Sequence, residues 1–387
     1  MRRSFIAVLA LALASALLPA AWSATAPAPV RFHTPAASPA AHAQYRELLR
    51  QDERSDAAGL LAMIRTPHAV WLGDEGAAQT EAEARDVVRA AAREGSVPVF
   101  VVYDVPGRDC SHYSGGGLGS TAEYRAWIDA VARGIGGRHR ALVVLEPDGL
   151  ALLPSDCGQD DAAGTKTAAR YAELGYAVDA LEPLAGVRVY LDAGHPGWHS
   201  VNSLVPRLIR AGVERATGFA VNVSNYHTDD AVAWYGRLVA SCLAYAAGGG
   251  DPAACPNQQG PRETARTWLA QHPGATHFVT DSSRNGRGPW TPPAGTYTDP
   301  QDWCNPPGRG AGARPTAATG DPLHDARLWI KTPGESDGLC LRGAAGPLDP
   351  ERQTVDPRAG EWFPAQALEL VRLAEPAFPQ AAPAVLR

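Results

Sequence analysis

The sequence predicts an α/β protein built on a parallel β-sheet that is covered by helices on both faces. Seven short apolar runs are spaced along the chain, and amphipathic helical patterns lie between them. Continuous apolar runs, rather than alternating ones, are typical of strands that are buried on both faces, as in parallel sheets. Seven such strands fit either a β/α barrel or an open, doubly wound sheet, and the pattern alone leaves both open.

The apolar runs are short enough to be strands, and they cover residues 69–72, 98–103, 142–146, 187–191, 218–223, 276–280 and 327–330. The helical patterns predict amphipathic helices over residues 80–94, 121–135, 165–182, 230–246, 262–271 and 360–374. Ser120 and Glu123 have the spacing of a capping box at the start of the second helix.

One domain is expected, preceded by an export signal. Residues 1–26 resemble a secretory signal peptide, in which two arginines precede an apolar run at 5–18 and small residues suited to cleavage follow. A membrane anchor is disfavoured because the run is short for a bilayer span, and the paired arginines also fit a twin-arginine signal. We therefore expect a secreted protein, extracellular or periplasmic. Residues 27–42 are Pro/Ala-rich and predicted to be a disordered arm, and the domain is predicted to fill 43–387.

Composition narrows the classes of partner and cofactor. The net charge is −6 at pH 7, so a nucleic-acid partner is not expected. No stretch after the signal is apolar enough to span a bilayer, so no membrane is expected for the mature form. The six cysteines include no CxxC pair, which favours disulfides over a zinc site and leaves their pairing open. HExxH, GxGxxG and P-loop motifs are absent, so no metal and no cofactor is expected.

Carboxylates follow nearly every predicted strand, at the end where α/β active sites lie. They are Asp104, Asp109, Glu146, Asp148, Asp192, Asp281, Glu335 and Asp337. A single Asp after a strand is more often a turn residue or helix cap than a catalyst. Carboxylates that converge on one face, however, repel each other and shift their pKa values apart. Such a group can hold one protonated acid and one ionised base at the same pH.

Aromatic side chains accompany these carboxylates. Trp71 and Trp198 lie near predicted strand ends, and Trp303 lies in a loop. Core packing explains each Trp equally well when it is taken alone, but aromatic faces also stack on the C–H faces of sugar rings. Carboxylates combined with aromatic side chains, without a metal motif, favour glycoside hydrolysis.

An ordered series of motifs then resembles family 6 of the glycoside hydrolases, which holds secreted endoglucanases and cellobiohydrolases acting on β-1,4-glucan. From about Trp71 to Trp362 they read VVYDVPGRDCSHYSGGG, VLEPDGL, YLDAGHPGW, NVSNY, DSSRNGRGP, WCNPPGRG, TGDP and KTPGESDG. The resemblance implies a distorted seven-stranded (β/α) barrel that forms a single catalytic domain without a cofactor. It also implies hydrolysis with inversion at the anomeric carbon and no covalent intermediate.

The same resemblance implies roles for the carboxylates. Asp148 in EPDG matches the general acid, and Asp109 in GRDC matches the neighbour that raises the pKa of the acid and stabilises positive charge in the transition state. Asp337 in ESDG matches the residue usually proposed as the base, with proton relay through water as the alternative. Asp192 matches a carboxylate near the site whose duty is open. Glu146 is expected to be a structural partner rather than a catalyst.

Further residues match family positions that bind glucose units. Tyr103 is expected beneath the sugar at the cleavage point, and the others are Trp71, Ser114, His195, Trp198, Asn225, Trp303, Lys331 and Glu335. Ser114 is one residue out of register with the family serine that holds the water. After Trp198 the chain reads HSVN, where some relatives carry a second Trp, so an extended aromatic platform is not expected there.

Two disulfides are implied by the family, namely Cys110–Cys157 and Cys304–Cys340. The remaining pair, Cys242 and Cys255, lies in residues 242–260, which look like an insertion that this pair could close. Closing such a loop would add about 3 kcal/mol to stability.

Loop lengths favour an endoglucanase over a cellobiohydrolase. Exo-acting members close the cleft into a tunnel with two long loops, whereas only 16 residues separate Cys110 from Trp127 here. A non-catalytic glucan-binding protein is the remote alternative, and it is disfavoured because all the expected carboxylates are present. The expected partner is β-1,4-glucan polysaccharide, and the chain is expected to be a monomer.

Overall fold

The computed structural model of the chain describes residues 30–378. Seven parallel strands form one sheet whose spatial order follows the order along the chain. They are β1 (Val70–Leu72), β2 (Val99–Val102), β3 (Ala141–Leu145), β4 (Val187–Asp192), β5 (Gly218–Val221), β6 (His277–Asp281) and β7 (His324–Leu328). A doubly wound sheet changes the direction of its strand order part-way, whereas every crossover here moves one place in the same direction. The sheet therefore curls, and the expected distorted seven-stranded (β/α) barrel is confirmed.

The barrel is incomplete between its first and last strands. β1 and β7 are the two edges of the sheet. Ala69 N donates to Trp329 O at 2.9 Å, and Trp71 Nε1 donates to Ile330 O at 2.9 Å. These bonds join β1 to the segment after β7, so single hydrogen bonds rather than a strand ladder close this side within residues 30–378.

Helices cover the outside of the sheet. Those in the described part of the chain are α1 (Pro39–Arg50), α2 (Arg54–Ile64), α3 (Ala77–Glu94), α4 (Thr121–Ile135), α5 (Thr165–Leu181), α6 (Val201–Ala211), α7 (Asp229–Ala247), α8 (Arg262–Gln271) and α9 (Pro364–Arg372). The six predicted helices match α3, α4, α5, α7, α8 and α9. The patterns do not predict α1, α2 or α6, and α6 carries Pro206 inside it, which normally ends a helix. No helix within residues 30–378 has the length and apolarity needed to cross a membrane.

The strands are buried on both faces, which explains their continuous apolar runs. In β2, Phe100 and Val102 pack under the helices, while Val101 and the following Tyr103 pack with residues of other strands inside the curl. Successive side chains of a strand point to opposite faces, and here both faces meet a core. The carboxyl ends of the strands are the place where this interior opens.

The described part of the N-terminal stretch, residues 30–42, is ordered, in contrast to the predicted disordered arm. The predicted signal peptide, residues 1–26, lies outside the described residues. Residues 30–42, however, lie against the domain rather than in a disordered arm. Phe32 is buried, and His33 N donates to Val97 O at 2.9 Å. Ser38 Oγ accepts from Ala41 N at 3.2 Å and caps α1, so an apolar anchor and a helix cap order a stretch that composition alone presents as a loose arm.

Three disulfides crosslink segments of the described chain. The pairs are Cys110–Cys157, Cys242–Cys255 and Cys304–Cys340. All three match the sequence expectations, and Cys242–Cys255 closes the apparent insertion at residues 242–260.

Candidate active site

A cavity of about 460 Å³ opens at the carboxyl ends of the strands. Eleven of the thirteen predicted catalytic and sugar-binding residues line it, namely Trp71, Tyr103, Asp109, Ser114, Asp148, His195, Trp198, Asn225, Trp303, Lys331 and Asp337. Asp192 and Glu335 are not part of its lining. The loops after β2, β3, β4, β5, β6 and β7 all contribute, so the expected convergence at the strand ends is present.

Asp148 lies in a tight turn that follows β3. Asp148 and Glu146 both have left-handed backbone conformations, with φ of +64° and +50°. Gly149 N donates to Glu146 O at 2.9 Å, which closes the turn and directs Asp148 into the cavity. Burial raises the pKa of Asp148 well above its usual range, and the nearby Asp192 and Asp109 carboxylates raise it further. Asp148 is therefore equipped to keep a proton at neutral pH.

Asp192 lies behind Asp148 and holds the same turn. Its Oδ2 accepts from Asp148 N at 3.1 Å and from Gly194 N at 3.0 Å. Burial also raises the pKa of Asp192, while these backbone N–H groups oppose that rise by favouring the ionised form. Asp192 thus fixes the backbone of Asp148 and adds negative charge beside it, without touching the cavity.

Asp109 faces Asp148 from the loop after β2. Asp109 and Cys110 have φ of +53° and +46°, and Cys110 is held by its disulfide to Cys157. Asp109 Oδ2 accepts from Ser114 N at 2.9 Å, while His112 Nδ1 lies 3.7 Å from Oδ1. Burial raises the pKa of Asp109, and the Ser114 amide opposes that rise.

Asp337 is an ionised carboxylate whose oxygens are already occupied. Arg284 Nη1 donates to Oδ1 at 2.9 Å and to Oδ2 at 2.8 Å, and Lys331 Nζ lies 3.7 Å from Oδ1. Oδ2 also accepts from Tyr226 Oη at 3.2 Å and Asn305 N at 3.0 Å. Burial would raise the pKa of Asp337, but the Arg284 and Lys331 cations overcome it and hold the pKa below its usual value. Such a group stabilises charge well and accepts a proton poorly.

Other strand-end carboxylates are structural. Both oxygens of Glu146 accept from Asp104 N at 3.1 Å, and Oε2 also accepts from Val105 N at 3.1 Å. Asp281 likewise accepts from Lys331 N at 3.0 Å and Ser224 N at 3.0 Å. These carboxylates fasten neighbouring loops by their backbone N–H groups, which confirms the structural role expected for Glu146.

Aromatic rings form two walls of the cavity. Trp71 meets Tyr103 edge to face, with ring centroids 5.5 Å apart. On the other wall His195 lies 5.3 Å from Trp198 and stacks on His227 at 4.7 Å. Burial, together with His227 and His199, lowers the pKa of His195 to about 3, so its ring is neutral. Its Nδ1 accepts from Gly197 N at 3.3 Å, which leaves Nε2–H as the donor of the ring.

Nine lining residues were not predicted: His112, Leu152, Gly197, Val223, Ser224, Tyr226, His227, Pro289 and Asp302. Seven of the nine lie within two residues of a predicted residue, so the motifs located the loops but not every side chain in them. His227 is held by Asn222, whose Oδ1 accepts from His227 N at 3.1 Å. Asn222, directly after β5, is the sequence feature from which the position of His227 could have been inferred.

Ser336 is the central residue of 334–338, which have the GxSxG spacing of a nucleophile elbow. Its side chain is fully buried, and Oγ donates to Pro357 O at 2.8 Å and accepts from Asn305 Nδ2 at 2.9 Å. This hydroxyl supports the loop that carries Asp337 and does not reach the cavity.

Comparison with known proteins identifies the family. The family model described as glycosyl hydrolases family 6 matches residues 28–374. Endoglucanase A of Cellulomonas fimi is 38% identical over 82% of this chain, which spans 57% of that relative's length. A probable 1,4-β-D-glucan cellobiohydrolase C of Neosartorya fischeri is 34% identical over 82% of this chain and 72% of its own length.

The fold also agrees with solved structures of that family. The endoglucanase Cel6 from Mycobacterium tuberculosis, in complex with methyl-cellobiosyl-4-deoxy-4-thio-β-D-cellobioside, is 35% identical, with a TM-score of 0.68. The match covers 89% of this chain and 98% of that one. A family match over nearly the whole described chain, with the same barrel, shows that the chain belongs to glycosyl hydrolases family 6.

Proposed function

We propose that the chain is an endo-β-1,4-glucanase that hydrolyses cellulose-type glucan with inversion, with Asp148 as the general acid. The observation that carries this is the placement of Asp148 in an aromatic-lined cavity, beside two carboxylates that raise its pKa. Membership of the family and the endoglucanase relatives support the same reading.

In the proposed reaction the glycosidic C–O bond breaks as Asp148 gives its proton to the leaving oxygen. Water attacks the anomeric carbon from the opposite face and loses a proton, so the product has inverted configuration. Asp109 and Asp337, as carboxylates, stabilise the positive charge that develops on the ring. Because the oxygens of Asp337 are occupied by Arg284, Tyr226 and Asn305, we favour relay of the water's proton through solvent over direct transfer to Asp337.

Endo action is proposed because the loops around the cavity are short or packed elsewhere. The loop after Asp109 folds back on itself, since Gly116 pairs with Arg108 and Leu118 N donates to Asp104 O at 3.0 Å. Within the described residues, no member of the 242–260 segment lines the cavity. An open cleft follows from these features, and a cellobiohydrolase with a closed tunnel is the alternative.

The viscosity of carboxymethylcellulose tests endo action against exo action. For endo action, we expect the viscosity to fall rapidly while only a few new reducing ends form. A slow fall with steady release of cellobiose would instead support the cellobiohydrolase. Absence of hydrolysis on any β-1,4-glucan would support a non-catalytic binding protein. Proton NMR of fresh products should show the α-anomer first, and the β-anomer first would contradict inversion.

Replacing Asp109 should change the pH dependence of the reaction. Asp148 must be protonated to act, so activity falls as pH rises through its pKa. Asp109→Asn removes a negative charge that raises this pKa, so the basic limb of the kcat profile should move to lower pH. The profile on cellohexaose measures this, with the surface variant Asp86→Asn on α3 as the control. An unmoved or higher basic limb would contradict the coupling of Asp109 to Asp148.

Export of the chain is proposed from residues 1–26. Mass spectrometry of the protein collected outside the cytoplasm should find its N-terminus just after the small residues near Ala24. An N-terminus that still includes the apolar run would contradict cleavage.

A further inference from the structure

The segment at residues 242–260, closed by the Cys242–Cys255 disulfide, has no assigned role. It packs against α6 and α7 and lines no part of the cavity among the described residues. The Gln258 side chain nevertheless contacts the loop between β4 and α6, and the Asn257 side chain contacts the first turn of α6. That loop carries His195 and Trp198, which form one wall of the cavity.

Gln258 makes the closest of these contacts. Its Nε2 donates to Pro196 O at 2.9 Å and to His199 O at 3.0 Å, and its Oε1 accepts from Val201 N at 3.3 Å. The two carbonyls bracket Trp198 in the chain. A single amide thus uses both N–H donors and its oxygen to fix the loop on either side of that Trp.

The start of α6 depends on the same segment. Ser200 is the N-cap residue, but its side chain makes no capping hydrogen bond. Instead, the Val201 N–H donates to Gln258 Oε1, and the Asn202 N–H donates to Asn257 Oδ1 at 3.4 Å. First-turn N–H groups require such partners, and here they come from a distant part of the chain.

The contact reaches the cavity wall through His199. Trp198 stacks on His199 with ring centroids 5.9 Å apart and an interplanar angle of 11°. His199 O accepts from Gln258 Nε2 and also from Tyr235 Oη at 3.1 Å. The orientation of the Trp198 ring therefore depends on a peptide group that Gln258 helps to fix.

We propose that Gln258 is a positioning residue that holds Trp198 and His195 in place for binding a glucan chain. The disulfide-closed segment is, in this view, a support for the sugar-binding wall. The inference rests on the proposed function, because it requires a sugar to bind at Trp198. Gln258 lies outside the cavity, and we expect it to affect the affinity for glucan rather than the rate of the chemical step.

The test measures cellohexaose binding by calorimetry in an Asp148→Asn background, where turnover does not interfere. Gln258→Ala should weaken the affinity about threefold to tenfold, as expected for the loss of one or two hydrogen bonds that hold the binding conformation. Gln259→Ala is the matched control, because Gln259 is the exposed neighbour and has no hydrogen bond with the described residues. It should bind as the background does.

Gln258→Glu separates positioning from helix capping. Its carboxylate can still accept from Val201 N, where the α6 dipole favours negative charge, but it cannot donate to Pro196 O or His199 O. We expect its melting temperature to stay closer to wild type than that of Gln258→Ala, while its Kd is weakened equally. A wild-type Kd in both Gln258 variants would overturn the positioning role and leave only capping. Normal binding without hydrolysis by the wild-type chain would instead contradict the proposed function alone.

Discussion

Asp148→Asn should lower kcat on cellohexaose by about 10²- to 10⁴-fold, the range for loss of a positioned general acid. The amide has nearly the same shape as the carboxyl, so the turn around Gly149 should persist, while no proton is available for the leaving oxygen. Burial, and then Asp192 and Asp109, raise the pKa of Asp148, so in the proposed reaction it would keep a proton to donate at neutral pH. Steady-state kinetics with the purified variant measure the loss.

The leaving group distinguishes loss of the acid from general damage. A dinitrophenyl β-cellobioside releases a phenolate that needs no proton, so Asp148→Asn should lose much less activity on it than on cellohexaose. Asp86→Asn serves as the matched control, because the Asp86 side chain is 78% exposed on α3. Equal losses on both substrates would contradict the role of general acid.

Arg284→Gln should lower the free energy of unfolding by about 3–5 kcal/mol, as expected when one partner of a buried ion pair is removed. Arg284 is fully buried, donates to both oxygens of Asp337 and lies with its Cζ 4.4 Å from the Tyr226 ring centroid. The shorter amide leaves the Asp337 carboxylate buried with one strong cation fewer. Urea unfolding followed by fluorescence measures the difference.

The pH dependence of that loss has a definite sign. In the wild type, burial would raise the pKa of Asp337, but Arg284 and Lys331 hold it low. Its contribution to stability is therefore complete above the unfolded value of about 3.9 and is lost as pH falls through the folded pKa. Without Arg284, burial should raise the folded pKa, so the folded variant takes up a proton that the unfolded chain does not.

The destabilisation by Arg284→Gln should therefore be smaller at about pH 5 than at about pH 7. Arg54→Gln is the matched control, because Arg54 pairs with Asp52 at 2.6 Å where both side chains are more than 70% exposed. It should change stability little at either pH. A deficit for Arg284→Gln that is equal at both pH values would show that the charge of Asp337 is not the cause.

The sheet could be predicted from the sequence because each strand is buried on both faces. Val99–Val102 and Ala141–Leu145 read as continuous apolar runs for that physical reason. Whether the sheet curls into a barrel could not be read from the runs themselves, since the same runs fit a doubly wound sheet. The helix α6 was missed because Pro206 interrupts its pattern, while packing and side chains from another segment stabilise it.

The site could be predicted where a carboxylate stands in a recognisable motif. Asp148, Asp109 and Asp337 stand in motifs whose loops start at strand ends, so the fold brings them together. Glu335, which was expected to bind sugar, is absent from the cavity lining. Gln258 could not be predicted at all, because its partners lie about 60 residues away and no local pattern marks the contact.

The interior packing of the curled sheet extends to the surface of the cavity. Tyr103 belongs to the same buried cluster as Val101, Val144 and Tyr190, yet it also lines the cavity. The surface of the cavity at Tyr103 is thus the outermost layer of the hydrophobic core inside the curl. A change of side-chain volume at Val101, in the same cluster, is therefore expected to disturb the packing of Tyr103 as well as the stability of the fold. Substitutions in this buried cluster are therefore expected to change both the stability of the fold and the activity at the cavity.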